Sequence, residues 1–149
     1  MDELTRVKDE VLMSVSKHAL AAYPEECCGF LYGYEKEGHG QVWISRPANN
    51  GYVHLRTRRY RISPADYMEG ERFADESGLN LSGVYHSHPD HPAVPSQYDE
   101  EWAVPGLVYL IVGIEGAKVT DFRWWELSAD GSKLVEVRSL KERVEEEHP

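Results

Sequence analysis

The sequence predicts an α/β domain in which helices flank a single mixed β-sheet. Apolar residues recur at three- and four-residue steps over residues 8–23, which is the spacing of an amphipathic helix. Several later runs are rich in β-branched and aromatic residues and are separated by Gly, Asn and Asp turn signals. These helical and strand-like segments alternate along 149 residues, a length typical of one domain with its own core.

The first helix is predicted to run from Lys8 to Tyr23. Val11, Val15 and Ala19 fall on one face of it, so that face is expected to be buried. Pro24 follows, and the residue before a proline is disfavoured in helical geometry, so the helix should end there.

A second helix is predicted to begin after Ser63. The Ser63 side chain can cap the helix, Pro64 suits its first position, and Asp66 can complete a capping box. Gly78 supplies the left-handed conformation that commonly ends a helix, so the helix should finish at Ser77.

The strands are predicted from the remaining apolar runs. Residues 107–114 are apolar almost throughout, which is typical of a central strand buried on both faces. Residues 58–62 alternate, with Arg59 and Arg61 on one face and Tyr60 and Ile62 on the other. The strands predicted in chain order are 4–7, 28–34, 42–47, 58–62, 81–88, 107–114, 119–127 and 134–137, with a short helix at 96–103.

A single domain is predicted over residues 1–149, with a core at about 4–137 and a charged tail at 138–149. The formal net charge of −10 argues against a nucleic-acid partner, because phosphate binding needs a basic surface. The arginine-rich segment RTRRYR, residues 56–61, is a local exception that could steer an acidic partner or substrate tail.

Neither membrane insertion nor secretion is expected. No stretch approaches the roughly 18 apolar residues of a membrane span, and the charged N-terminus lacks the apolar core of a signal peptide. Cys27 and Cys28 are adjacent and point to opposite faces of a strand, so a disulfide between them is not expected. The sequence therefore predicts a cytoplasmic protein.

Potential metal ligands are concentrated in YHSHPDHPAVPSQYD, residues 85–99. His86 and His88 are two residues apart on a predicted strand, so both imidazoles should project from one face. The hexapeptide HSHPDH also fits the H-x-H-x-D-H pattern of metallo-β-lactamase-like hydrolases, which would add Asp90 and His91 to the site. Those enzymes need further ligands well downstream, and the only histidine after His91 is His148.

A longer pattern, H-x-H-x7-S-x2-D, is formed by His86, His88, Ser96 and Asp99. It resembles the JAMM (MPN-plus, JAB-domain) family of zinc metallopeptidases. PEECCGFLYG, residues 24–33, resembles the segment that carries the family's catalytic glutamate three residues before a glycine. Glu26 occupies that position, and its neighbour Glu25 is the alternative if the register is shifted by one. The resemblance extends over roughly residues 4–137.

The resemblance implies one Zn²⁺ per chain, held by His86, His88 and Asp99, with the fourth tetrahedral position left for water. Glu26 is then expected to move the water's proton to the leaving amine, and Ser96 to donate a hydrogen bond to the developing oxyanion. The implied reaction is hydrolysis of a peptide or isopeptide bond, and the implied fold is a JAB/MPN layering related to that of cytidine deaminases.

The small single-domain bacterial branch of the family is linked to ubiquitin-like sulfur-carrier proteins of the ThiS/MoaD type, some of which are processed at a Gly-Gly end. Residues 99–107 leave no room for the insertion with which eukaryotic deubiquitinases hold ubiquitin. Carrier processing is therefore the expected activity. Some relatives of this fold have lost their ligands and serve as interaction modules. A deaminase would need H-x-E with P-C-x-x-C, which adjacent cysteines do not supply.

Overall fold

One mixed β-sheet organises the chain. A computed structural model describes residues 5–36, 39–51, 55–57 and 59–137. In chain order the elements are β1 (Thr5–Val7), α1 (Asp9–Ala22), β2 (Cys28–Lys36), β3 (His39–Ala48), α2 (Pro64–Ser77), β4 (Asn80–Pro89), α3 (Gln97–Glu101), β5 (Val108–Glu115), β6 (Lys118–Leu127) and β7 (Leu134–Val137).

Within those ranges the sheet has seven strands in the order β1-β3-β2-β4-β5-β6-β7. The β1–β3 and β4–β5 pairs are parallel and the other pairs are antiparallel. The predicted α/β class with a single mixed sheet is confirmed. The order places β4 and β5 in the middle of the sheet, where both faces are covered.

Each face of the sheet has its own core. On one face α1 buries Val11, Val15 and Ala19 in a cluster that includes Tyr85 of β4. On the other face Ala74 of α2 belongs to a second cluster. Fully burying an aliphatic or aromatic side chain contributes roughly 1.5–3 kcal/mol, so the two clusters fix both helices on the sheet.

Both long helices begin and end close to the predicted residues. α1 ends at Ala22, ahead of the Tyr23-Pro24 pair. At the start of α2 the Ser63 hydroxyl accepts a hydrogen bond from the Asp66 N–H at 3.1 Å. α2 ends at Gly78, whose φ of 73° is the left-handed conformation that glycine adopts without strain.

The prediction of a strand at 58–62 is wrong for the described residues of that range. Tyr60 and Ile62 are buried, as the alternation predicted, but residues 59–62 pair with no strand. Their peptide groups bond instead to the preceding loop: the Arg59 N–H donates to the Leu55 carbonyl, and the Arg61 carbonyl accepts from the Gly51 N–H. Alternating burial alone does not reveal whether a neighbouring strand is available.

The structure bears on several smaller expectations. The short helix predicted at 96–103 covers only Gln97–Glu101. Cys27 and Cys28 are free and buried, so the absence of a disulfide between them is confirmed.

Among the described residues no helix combines the length and apolar character that crossing a membrane requires. The predicted tail at 138–149 lies outside the described residues.

Candidate active site

Two histidines lie at the end of β4 on the sheet face that α2 covers. His86 is fully buried and His88 is 6% exposed. Their ring centroids are 5.0 Å apart and their Nε2 atoms are 3.2 Å apart. Both imidazoles therefore project from the same face of β4, as predicted.

Asp99 reaches the same point from α3. The Ser96 hydroxyl accepts a hydrogen bond from the Asp99 N–H at 3.0 Å, and Asp99 Oδ2 accepts one from the Ser96 N–H at 2.9 Å. This capping box turns the carboxylate toward β4, where Oδ2 lies 3.3 Å from His86 Nε2 and 3.1 Å from His88 Nε2. Two imidazoles and one carboxylate thus converge in a group that could hold a metal ion.

The protonation states of Asp99 and His86 suit metal binding, whereas binding at His88 must displace a proton, because burial, which favours the neutral form, is outweighed by the hydrogen bond and charge of Asp99, which raise the pKa of that imidazole. Burial disfavours the charged form of Asp99, but the two imidazoles outweigh it and hold the pKa of that carboxyl well below its usual range. Burial lowers the pKa of His86, which favours the neutral imidazole that a metal requires.

Neighbouring groups fix both rings. His88 Nδ1 lies 2.9 Å from the Pro92 carbonyl oxygen. An Nδ1–H donated to that oxygen leaves the Nε2 lone pair directed at the candidate metal position. His86 is stacked on Tyr60, with ring centroids 4.2 Å apart and planes 20° from parallel. Sequence patterns did not identify Tyr60 as part of the site.

Glu26 stands just before β2 and is only 4% exposed. It lines a cavity of about 460 Å³ together with His88 and Ser96. Its Oε1 is buried and has no hydrogen-bond partner among the described residues. Burial raises the pKa of Glu26 to about 8, with His88 opposing the shift and Asp99 adding to it. Glu25 is exposed and is not among the residues lining this cavity.

Ser87 bonds the strand that carries the histidines to Cys27, the residue that follows Glu26. It lies between His86 and His88, so its side chain points to the other face of the sheet. Its hydroxyl accepts a hydrogen bond from the Cys27 N–H at 2.9 Å, and its own N–H donates to the Cys27 carbonyl at 3.1 Å. Sequence analysis missed Ser87, although its place inside H-x-H was a usable signal.

Replacing Ser87 with Ala is expected to destabilise the protein by about 1–3 kcal/mol, because the buried Cys27 N–H loses its acceptor. Urea unfolding measures the change. Ser82 provides a matched control on the same strand, since its hydroxyl is exposed and makes only a local 3.5 Å contact with the Asn80 carbonyl. Equal midpoints for S87A and S82A would contradict the expectation.

Asp90 and His91 lie outside the convergent group. Both are exposed. The Asp90 carboxylate accepts hydrogen bonds from the Tyr23 hydroxyl at 2.8 Å and from the Gly116 N–H at 3.1 Å. His91 lines the cavity rim. Among the described residues, the group that could hold a metal includes neither of them, so the H-x-H-x-D-H arrangement is not assembled.

The sequence of this chain is similar to those of known proteins. Residues 8–128 match the family of prokaryotic homologs of the JAB domain. The chain belongs to this family. A desampylase from Haloferax volcanii is 31% identical to it over 118 residues, which cover 78% of this chain and 82% of the relative. A probable TtuB-protein conjugate cleaving protease from Thermus thermophilus is 36% identical over 62 residues, 40% of each chain.

Two solved structures share the fold. A protein from Salinibacter ruber superposes with a TM-score of 0.72 at 37% identity and covers 91% of this chain and 90% of its own. A JAB1/MPN domain protein from Archaeoglobus fulgidus has a TM-score of 0.56 at 14% identity, covering 91% and 99%. The second likeness concerns the fold alone, and it confirms the predicted JAB/MPN architecture.

Proposed function

We propose that the chain is a zinc-dependent hydrolase that cleaves a peptide or isopeptide bond in conjugates of a ubiquitin-like protein. The observation that carries the proposal is the triangle of His86 Nε2, His88 Nε2 and Asp99 Oδ2, with separations of 3.1–3.3 Å. Ligand atoms at the usual distance from a tetrahedral Zn²⁺ lie about 3.3 Å from one another. The donor set, two imidazoles and one carboxylate, also suits that ion and leaves a fourth position for water.

The neighbouring side chains supply the rest of the chemistry. A zinc ion held by the triangle would polarise the substrate carbonyl and make a hydroxide nucleophile available near neutral pH. Glu26, with an unpartnered carboxylate oxygen in the same cavity, accepts the proton of the attacking water and delivers it to the leaving amine. The Ser96 hydroxyl accepts the Asp99 N–H and so keeps its own proton to donate to the oxyanion.

Replacing Ser96 with Ala is expected to lower kcat by about 10²–10³-fold, the usual effect of losing one oxyanion donor. The same change removes the N-cap of α3 and should cost about 1 kcal/mol of stability. Ser63→Ala is the matched control, because it removes an equivalent cap at α2, away from the cavity. Turnover by S96A equal to that of S63A would contradict the assignment.

The named activities of the relatives support the substrate class, since one is a desampylase and another is a probable protease for TtuB–protein conjugates. We propose a ThiS/MoaD-type sulfur carrier as the ubiquitin-like partner. We also propose a cytoplasmic location, supported by the two free, buried cysteines.

The decisive experiment uses three substrates: the carrier joined to lysine through an isopeptide bond, a carrier–cysteine adduct and an unrelated peptide. Masses of the products are measured with and without a metal chelator. We expect intact carrier to be released without the chelator, and no release in its presence. Cleavage of an unrelated peptide but of neither adduct would indicate a general peptidase, and no cleavage of any substrate would favour an interaction module.

A further inference from the structure

The segment formed by residues 55–57 and 59–62 is fixed to the backbone of Glu26. The Glu26 N–H donates to the Arg56 carbonyl at 2.6 Å. Asn50 Nδ2 lies 3.2 Å from the Glu26 carbonyl oxygen and 2.9 Å from the Arg59 carbonyl oxygen, and Asn50 Oδ1 accepts the Arg61 N–H at 3.2 Å. One amide side chain therefore holds the backbone at Arg59 at a set distance from Glu26.

Two arginines of this segment stack on aromatic rings of the α3 region. The Arg59 guanidinium carbon lies 4.9 Å from the Tyr98 ring centroid, and that of Arg61 lies 4.8 Å from the Trp102 ring centroid. Stacking of this kind restricts a guanidinium without using its N–H donors. The two arginines differ in one respect: Arg59 lines the cavity that holds Glu26, whereas Arg61 is not among the lining residues.

Arg59 places a positive charge in the cavity of an acidic protein. The protein has a net charge of −10, yet Arg59 is the only permanently charged cation among the described residues that line the cavity. No ion pair joins it to a carboxylate in the part of the chain that the structure describes. Its planar fork of donors matches a carboxylate, which can accept two parallel hydrogen bonds from it.

We propose that Arg59 forms a subsite of the active-site cavity for a carboxylate on the substrate fragment that departs as the amine. The inference rests on the proposed function, in which Glu26 delivers a proton to that amine. Arg59 and Glu26 line the same cavity and Asn50 bonds to the backbone carbonyls of both, so the proposal assigns the guanidinium to the leaving-group side of the scissile bond. The carboxylate is either the free C-terminus of the departing fragment or an acidic side chain next to the cleaved bond.

Two pairs of peptides distinguish these sources. In one pair acetyl-Leu-Gly-Gly-Ala ends in a carboxylate or in an amide. In the other, acetyl-Leu-Gly-Gly-Asp-amide is compared with its Asn counterpart. The wild-type enzyme is expected to favour the carboxylate member of at least one pair by about tenfold in kcat/KM, the usual scale for one charge-assisted hydrogen bond at a partly solvated site. Arg59→Gln should reduce that preference to within about twofold.

Arg61→Gln is the matched control. It removes the same charge from the same segment and disrupts an equivalent ring contact outside the cavity, so it should keep the wild-type preference. A similar loss of preference in R59Q and R61Q would overturn the subsite, since a diffuse electrostatic field would then explain both. Absence of a preference in the wild-type enzyme would overturn it as well.

Binding separates this inference from the proposed function. The four peptides are titrated calorimetrically into the Glu26→Gln variant with Arg59 present or replaced by Gln. Tighter binding of the carboxylate member that disappears with Arg59 supports the subsite, even if the wild-type protein cleaves none of the peptides. Cleavage of all four by the wild-type enzyme, with equal affinities in both variants, would leave the hydrolase intact and refute the subsite.

Discussion

Replacing Glu26 with Gln is expected to lower kcat by about 10²–10⁴-fold, the usual contribution of a positioned general acid–base group. The amide has nearly the same shape as the carboxylate but cannot take a proton from the attacking water. Glu26 is not one of the three side chains that converge as candidate ligands, so E26Q should keep one metal ion per chain. Steady-state kinetics on a carrier adduct and elemental analysis of the purified variant measure the two effects.

Glu25→Gln is the control for this prediction. Glu25 is adjacent in the chain, has the same chemistry and is exposed outside the cavity. We expect E25Q to retain both metal and turnover. If E26Q turned over as fast as E25Q, Glu26 would not be the proton carrier, and a base elsewhere would be required.

Replacing His86 with Ala is expected to abolish metal retention and, with it, all activity above background. Three protein ligands are the minimum for a catalytic zinc site, and loss of one leaves only His88 and Asp99. The wild-type protein, purified without chelator, should contain about one zinc per chain. Elemental analysis compares the two proteins directly.

His91→Ala provides the comparison for metal content. His91 belongs to the same histidine-rich stretch but is exposed and outside the convergent group, so H91A should keep its zinc. Full metal content in H86A would defeat the assigned ligand set. Loss of metal in both H86A and H91A would restore the H-x-H-x-D-H alternative, because that arrangement needs both histidines.

The convergent triangle was predictable because its parts are encoded locally. Alternation along a strand places His86 and His88 on one face, and a capping box fixes the direction of Asp99 from within its own helix. Only the contact between the end of β4 and the start of α3 depends on tertiary structure, and the family resemblance predicted that contact.

The choice of Glu26 over Glu25 depended on Gly29, and the structure gives the glycine a physical role. A Cβ at position 29 would meet the Tyr85 ring and the Arg46 carbonyl oxygen, so only glycine lets β2 lie against its neighbours there. Glycine at position 29 is compatible with this close approach, and the glutamate three residues before it is the one that lines the cavity.

The segment formed by residues 55–57 and 59–62 could not be predicted in the same way. Its alternation of Arg59, Tyr60 and Arg61 matches that of a strand, but its backbone bonds to the preceding loop, partly through the side chain of Asn50. A bond between a side chain and a distant backbone group leaves no periodic trace in a sequence. Tyr60 lies in this segment, so its stacking on His86 was missed for the same reason.

The arrangement of His86, Ser87 and His88 on β4 divides one strand between two duties: the imidazoles face the ion and the hydroxyl secures the neighbouring strand. Because side chains alternate with a period of two, a one-residue slip would exchange these duties and turn both rings into the core under α1. An insertion or deletion of one residue within this strand is therefore expected to destroy the ion site, whereas one in the loops on either side would leave the alternation intact.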